Sequence, residues 1–371
     1  MPTFPLQDKK LVLKIVAAVS VCLLFVATLW PLNPWPKNQI SWRHDDDGVR
    51  LCKHGTIFSL GQFPNEADAE GKPFSLELWM EPWRNEGSTV MLAFYERESA
   101  EQFIVGQDGL AVSVFHAARN RSEKSPQLVT GDVIAQNKRT LVTVTAGPKG
   151  TNLYVNGLVQ GLSQSIGLSR KNIAGELVLG TSPVASKCWC GILRGIAIYG
   201  NELSAEEVAE HYKTWSLNRE QDKQSMLALY LFRERSGSLV KNQIPAGINL
   251  YIPEYYAVWR QNFLLPPWKE FRPGWQYVND LIWNVLGFVP LGFVLYPYFL
   301  VAFGSKRPWL MSCVAGAALS LLIEILQSFL PLRSSGWTDV ITNSAGTALG
   351  ASICFTSAGQ GILRKLFGEK V

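Results

Sequence analysis

Short segments in which apolar and polar residues alternate dominate the middle of the chain. Residues 74–79 alternate with a period of two, and so do residues 141–145 and 153–155. Alternation of this kind is typical of β-strands with one buried face. Asn156 and Gly157 follow the last of these segments and are the pair that a two-residue hairpin turn prefers. Several such segments at short spacing predict an all-β sandwich.

Four long apolar runs outside this middle region predict transmembrane helices. They cover residues 15–30, 281–303, 309–330 and 340 to about 354, and a span needs about 20 mostly apolar residues. We interpret the first run as an uncleaved anchor, because no small-residue cleavage site precedes Pro31. A cleaved signal peptide is the alternative.

The basic residues near these runs indicate a topology. If the chain crosses the membrane four times, its three clusters of basic residues all lie on the same side, which the positive-inside rule assigns to the cytoplasm. This predicts an N-in and C-in protein with residues 32–276 and the loop 331–338 outside. The net charge of +5 is therefore interpreted as a topology signal, and the absence of a dense basic stripe argues against nucleic-acid binding. The clusters are Lys9, Lys10 and Lys14, then Lys306 and Arg307, then Arg364 and Lys365.

Three cysteines fall in the exported region, where disulfides can form. Cys52 is expected to pair with either Cys188 or Cys190, which leaves one thiol free. No cysteine or histidine pair with zinc-ligand spacing accompanies them, and we interpret Asp45, Asp46 and Asp47 as a solvated loop rather than a calcium site. We expect no metal and no cofactor.

Polar residues recur at helical spacing inside three of the apolar runs. An ionisable residue within a membrane is costly and is a functional-site hypothesis by default. All the acidic residues of this group fall near the outer ends of their spans, and an arginine of the short outer loop is expected to pair with carboxylates there. We therefore predict one polar site in the outer leaflet, formed by Asp280, Asn284, Glu324, Gln327, Arg333, Asp339 and Asn343.

The same residues resemble the VanZ-like family of bacterial membrane proteins. The resemblance rests on Asp280 and Asn284 leading to residues 288–293, on residues 324–327 with Arg333, and on residues 339–350. It implies a small multi-span protein of the bacterial cytoplasmic (inner) membrane, in a family linked to glycopeptide antibiotic resistance. It implies no settled reaction.

The middle of the chain resembles the laminin-G type (LamG), concanavalin A-like jelly roll. Residues 74–79, 153–157, 191–199 and 203–208 carry this resemblance, and the last segment contains a helix capping box at Ser204 and Glu207. The expected fold is thus a membrane α-helical bundle of four transmembrane helices plus an all-β jelly-roll sandwich ectodomain. The resemblance implies a carbohydrate or protein ligand for the ectodomain.

The expected organisation has four parts. Residues 1–35 supply the first transmembrane helix, and residues 37–250 form the extracytoplasmic sandwich. Residues 251–276 form a membrane-proximal linker that is rich in proline and tryptophan. Residues 277–371 supply transmembrane helices two to four, and the sandwich is an insertion between the first two spans.

Three hypotheses for function stay open at this point. The leading one is a non-enzymatic envelope protein that binds a polar or lipid-linked glycan group, or a cell-wall polymer, at the outer leaflet. The second is an intramembrane transferase or hydrolase that acts on a lipid-linked envelope glycan, with Glu324 as general base and Asp339 as the residue that orients it. The third is an adhesion or scaffold module for which the bundle is only an anchor.

Overall fold

The structure is a computed structural model of the 371-residue chain. It describes residues 6–64, 69–83, 87–96, 102–117, 127–182, 188–220, 222–256, 263–271, 274–331 and 333–367. The chain divides into two compact units. One comprises residues 35–260, and the other combines residues 1–34 with residues 261–371.

The first unit is an all-β sandwich of two antiparallel sheets. In the described residues, the first sheet has the strand order β1-β2-β13-β4-β9-β10-β11, and β14 pairs with β13. Its strands are β1 (Ile40–Trp42), β2 (Val49–Leu51), β4 (Phe74–Pro82), β9 (Thr140–Gly147), β10 (Gly150–Val155), β11 (Leu158–Ser163), β13 (Gly191–Tyr199) and β14 (Met226–Tyr230).

The second sheet has the order β15-β16-β3-β12-β5-β6-β7-β8 within the same part of the chain. Its strands are β3 (Ile57–Ser59), β5 (Ser88–Tyr95), β6 (Gln102–Asp108), β7 (Ala111–Ala117), β8 (Gln127–Val129), β12 (Glu176–Leu179), β15 (Leu239–Val240) and β16 (Leu250–Tyr251). The predicted strands at residues 74–79, 141–145 and 153–155 are confirmed as parts of β4, β9 and β10.

The inward faces of the two sheets form one large apolar core, in which Phe74, Phe94 and Tyr230 are fully buried. A second cluster lies behind the first sheet, where helix α2 (Ala205–Ser216) packs Val208 and Trp215 against the strands. The capping box that starts α2 is present as predicted. Ser204 Oγ accepts from the Glu207 amide at 3.2 Å, and the Glu207 carboxylate accepts from the Ser204 amide at 2.7 Å.

The predicted hairpin turn is also present. Asn156 and Gly157 both have positive φ, at 52° and 80°, and they join β10 to β11. The Asn156 side chain accepts a hydrogen bond from the Leu141 amide at 2.9 Å, which ties the turn to β9.

The second unit is helical. Its helices are α1 (Leu6–Leu29), α3 (Pro267–Glu270), α4 (Trp275–Pro297), α5 (Pro308–Gln327), α6 (Trp337–Ile353) and α7 (Ser357–Phe367), and a π-helical turn, Tyr298–Ala302, extends α4. Three described segments are long and apolar enough to span a membrane: Lys10–Leu29, Tyr277–Ala302 and Pro308–Gln327. Four spans are therefore not confirmed. Helix α6 has 17 residues, about 25 Å at 1.5 Å per residue, which is short for a hydrocarbon core of about 30 Å.

Glycines allow α4 and α6 to approach closely. A Cβ atom at Gly346 would overlap the Val285 carbonyl, and one at Gly350 would overlap the Val289 carbonyl. Gly292 of α4 faces the backbone of Thr347 in the same way. The Gly346 and Gly350 pair therefore acts in helix packing within the chain.

Candidate functional site

The beginning of helix α6 is the centre of the candidate site. Gly336 is the residue that precedes the helix, and its amide donates to Glu324 Oε2 at 2.8 Å. Glu324 lies near the end of α5 and is 1% exposed. The Ser335 hydroxyl, next to Gly336, accepts from the Leu264 amide at 3.3 Å. Free amide groups and the helix dipole favour an anion at a helix N-terminus, so the contact of Glu324 with Gly336 stabilises a carboxylate in an apolar bundle.

A second carboxylate that the sequence analysis did not include binds the same turn. Glu270 Oε2 accepts from the Thr338 amide at 2.9 Å and also from the Thr338 hydroxyl. A Cβ atom at position 336 would overlap the Glu270 carboxylate where it now lies, so a side chain there would displace this carboxylate. Glu270 ends the short helix α3, inside the segment that we interpreted as an extended linker. The signal that could have indicated a helix there is Pro267 at its first position.

Asp339 supplies the third carboxylate, in the first turn of α6. Its Oδ1 accepts from Asn284 Nδ2 of α4 at 2.7 Å. Asp339 is partly exposed, and Asp280, one turn before Asn284, is exposed. The structure therefore brings Glu324 and Asp339 to one end of the bundle, with Asn284 beside them, and leaves the aspartates more accessible than the glutamate.

Asn343 and Gln327 connect helices below and beside this cluster. Asn343 Nδ2 donates to Ser320 Oγ of α5 at 2.9 Å, and Asn343 is 4% exposed. Gln327 Nε2 donates to the Thr28 carbonyl of α1 at 2.9 Å. Both amides therefore hold helices together, which is a structural role for two residues of the predicted binding set.

Arg333 differs from the expectation. Its guanidinium donates to the Trp30 carbonyl oxygen at the end of α1, and no ion pair joins it to an acid within the described residues. The loop after α5 turns at Arg333, whose amide donates to Leu330, and the side chain extends toward α1 rather than α6. The carboxylates are instead held by backbone amides, hydroxyls and the Asn284 amide.

These contacts limit the chemistry of Glu324. A general base must reach the proton that it removes. Glu324 is almost fully buried and its carboxylate already accepts from the Gly336 amide. No group of three or more His, Cys, Asp or Glu side chains in the described part is placed to hold a metal ion.

The sandwich resolves the cysteine pairing. Cys52 is bonded to Cys190, and Cys188 is a free thiol beside the hydroxyls of Thr181 and Tyr256. Burial raises the pKa of the Cys188 thiol, so it is protonated near neutral pH.

The run of three aspartates is bound by arginines. Asp46 accepts from Arg139 at 2.7 Å and from Arg194 at 2.8 Å, and Asp47 accepts from Arg233 at 3.1 Å. Burial would raise the pKa of Asp46, but the Arg194 hydrogen bond and charge outweigh it and lower that pKa. These carboxylates are engaged in ion pairs rather than arranged as calcium ligands.

Two family models match the chain. Residues 216–359 match the model described as VanZ/LLP1, and residues 58–209 match the concanavalin A-like lectin/glucanases superfamily. The chain joins a VanZ-like region to a concanavalin A-like region. Both predicted resemblances are confirmed, and the VanZ-like match begins in α2 and includes strands β14 to β16 of the sandwich. No curated protein matches the chain.

Several solved structures are similar to the sandwich. A Bacteroides ovatus protein described as carbohydrate-binding shares 12% identity with a TM-score of 0.39; the match covers 60% of this chain and 62% of that one, less than two thirds of its length. A Ruminococcus gnavus sialidase CBM40 module bound to sialyllactose shares 12% identity with a TM-score of 0.35, covering 45% and 96%. A Limulus polyphemus SAP-like pentraxin shares 12% identity with a TM-score of 0.37, covering 59% and 96%. These values carry no conclusion about function.

Proposed function

We propose that the VanZ-like region binds the polar group of a lipid-linked or wall-derived glycan at the outer leaflet of the bacterial inner membrane. The observation that carries this proposal is the set of carboxylates at the N-terminal end of α6. Glu324 and Glu270 hold the helix terminus, while Asp339 and Asp280 are accessible in part or fully. An ionised carboxylate only accepts hydrogen bonds, so its ligand must offer donors, as sugar hydroxyls and ammonium groups do.

The proposal includes a topology. The N- and C-termini are cytoplasmic, residues 32–276 lie outside, and α6 serves as a short fourth span. The basic residues of the α4–α5 loop and of α7 support this orientation through the positive-inside rule. An effect on susceptibility to glycopeptide antibiotics follows from the family resemblance and belongs to the proposal.

Binding of a fluorescent undecaprenyl-linked glycan to the purified chain tests the site. Asp339→Asn and Asp280→Asn remove charge with little change of shape, and we expect each to weaken binding several-fold. Asp132→Asn makes the same chemical change on an exposed residue of the sandwich and should leave affinity unchanged. Equal affinity for wild type and Asp339→Asn would reject the site.

We propose further that the sandwich binds carbohydrate, which the match to the lectin/glucanases superfamily supports. A row of paired residues crosses the second sheet on the face opposite the main core. Tyr251 pairs with Phe58, Phe58 with Val178, and the row continues to Phe115 through Ala93 and Ile104. Tyr251 and Phe115 are half-buried, and aromatic rings of this kind can stack on sugars.

A panel of bacterial envelope oligosaccharides tests this part. We expect Tyr251→Ala and Phe115→Ala to reduce binding of whichever saccharide the wild-type chain retains. Tyr255→Ala removes another tyrosine of the same unit, which is 44% exposed, and serves as the control. Retention of no saccharide by the wild type, or an equal loss in the control, would count against the proposed face.

The third hypothesis, in which the bundle is only an anchor, makes a different prediction. Replacing the helical unit with an unrelated membrane anchor should then preserve the cellular phenotype. We expect the phenotype to be lost, because the carboxylate cluster is lost with the helices.

A further inference from the structure

The end of the helical unit opposite the carboxylate cluster is basic. Lys306 and Arg307 form the loop between α4 and α5, and Arg364 and Lys365 lie in the last turns of α7. All four side chains are exposed. The sequence has no Asp or Glu in residues 281–323 or 340–368, so no acid of these stretches offsets the four positive charges.

Two contacts bring the α4–α5 loop and the α6–α7 turn to the same end. Trp309 Nε1, in the first turn of α5, donates to Ser352 Oγ in the last turn of α6 at 3.0 Å. The rings of Tyr296 and Phe355 meet edge to face, with centroids 5.2 Å apart. The four cations therefore belong to one region of the surface, which we name the basic end.

Helix α7 is amphipathic in the way that interfacial helices are. Leu363 is 3% exposed, while Ala358 and Ile362, one turn apart, are both exposed. Arg364 and Lys365 are exposed beside them. Gly359 lies against the Ile353 carbonyl, where a side chain would not fit, so α7 starts in a tight turn directly after α6.

Large aromatic side chains are exposed at the same end. Phe303 is 66% exposed, Phe355 55% and Trp309 38%. Tryptophan is enriched at the boundary between hydrocarbon and headgroups, and the two phenylalanines add exposed apolar surface beside Trp309. None of the four cations forms an ion pair within the described residues, so their charges are available to a partner.

We propose that the basic end is a binding surface for anionic phospholipid headgroups, with α7 lying along the membrane interface. Charge complementarity selects this partner, because four exposed cations adjoin exposed apolar side chains. Interfacial helices of this kind bind anionic lipid through burial of apolar area and through electrostatic attraction. The inference rests on the membrane setting of the helical unit and not on the glycan site at its other end.

The expected effect can be given a size. Each Lys or Arg near an anionic lipid surface strengthens binding by roughly fivefold. Removing two of the four cations should therefore weaken binding of an anionic lipid by about 30-fold at low salt, and added salt should reduce the difference.

The test uses the full chain in a neutral detergent with fluorescent phosphatidylglycerol and phosphatidylcholine. We compare wild type, Arg364→Gln/Lys365→Gln and Lys138→Gln/Lys241→Gln; the last pair removes the same charge from exposed residues of the sandwich. The expected result is preference for phosphatidylglycerol in wild type and in the control pair, with that preference reduced by about 30-fold at low salt in the α7 pair. Size-exclusion chromatography checks that each variant is folded.

Three results would overturn the inference. One is equal affinity of wild type for the two lipids, and another is the same loss in the control pair as in the α7 pair. The third is displacement of phosphatidylglycerol by glycerol phosphate alone, which would show a site for free phosphate. No glycan is present, so failure here leaves the proposed glycan site untouched.

Discussion

Glu77 in the sandwich and Glu324 in the bundle are both buried glutamates, but they bind different donors. Glu77 is fully buried in β4 and accepts from His211 Nδ1 at 2.9 Å, Trp215 Nε1 at 2.9 Å and Tyr199 at 3.1 Å. All these donors are side chains, and they fix α2 on the first sheet.

Glu324 accepts mainly from the beginning of a helix. Its neighbours include two other acids, Asp339 and Glu270, and no Lys or Arg pairs with it in the described residues. In the sandwich, the buried Glu77 carboxylate is thus hydrogen-bonded to three side-chain donors, which is typical of a structural network. The bundle instead places several acids together with no Lys or Arg paired to them in the described residues, which supports the proposed site.

The largest expected effect is on Glu77. Glu77→Ala leaves the donors of Trp215, Tyr199 and His211 without their acceptor, and we expect the free energy of unfolding of the sandwich to fall by about 3–5 kcal/mol. Urea unfolding followed by near-UV circular dichroism measures it. Glu77→Gln keeps the volume and one acceptor oxygen and should lose less; an equal loss in both would show that the charged carboxylate, rather than side-chain volume, is what matters.

The second largest effect is expected when the disulfide of the sandwich is removed. Cys52 and Cys190 are 138 residues apart, and a bond that closes so long a loop restricts the unfolded chain strongly. Cys52→Ser/Cys190→Ser should lower the free energy of unfolding of the sandwich by about 2–5 kcal/mol. Cys313→Ser, in the bundle, is the control. A similar loss of unfolding free energy in this variant would show that the loss in the sandwich does not come from the disulfide.

A smaller effect is expected at Glu324. Glu324→Leu removes the acceptor of the buried Gly336 amide and should destabilise the bundle by about 1–3 kcal/mol. Glu324→Gln keeps an acceptor oxygen and should be tolerated, unlike Glu77→Gln. Thermal unfolding in detergent measures both, and a glutamine variant as unstable as the leucine variant would mean that the negative charge itself holds α6.

The smallest effect concerns pH. Burial lowers the pKa of His211, but the hydrogen bond and charge of Glu77 outweigh burial, and the net shift raises this pKa above 6.5. The stabilisation is therefore complete below pH 6.5 and is lost as pH rises through the folded-state pKa. We expect the unfolding midpoint of the sandwich in urea to fall over that window. His211→Gln should flatten the profile, and an unchanged slope in this variant would assign the dependence to another group.

Local patterns accounted for much of the fold because their causes are local. Period-two alternation, the Asn156 and Gly157 turn and the Ser204 capping box each depend on neighbouring residues, and all are present in the structure. The last apolar run, predicted over residues 340 to about 354, lies in α6, which starts at Trp337 and ends at Ile353 after 17 residues.

The candidate site was predictable only in part. Helical spacing and a shared end brought Glu324, Asp339 and Asn284 together, as the sequence suggested. Glu270 was missed because its partner, Thr338, lies 68 residues away. Helical spacing could not predict the direction of the Arg333 side chain, because this residue lies in a loop. The path of that loop decides whether the guanidinium contacts the end of α1 or the acids.

The helical unit is assembled from two distant parts of the chain. Helix α1 packs Leu29 with Phe288 and Leu291, and its Thr28 carbonyl binds Gln327, yet the residues between them build the whole sandwich. At about 5–20 residues per second, a ribosome needs roughly 10–45 seconds to make residues 35–260. Helix α1 is therefore completed well before the helices that it packs against are translated, and during this interval a chaperone or a competing helix has access to it.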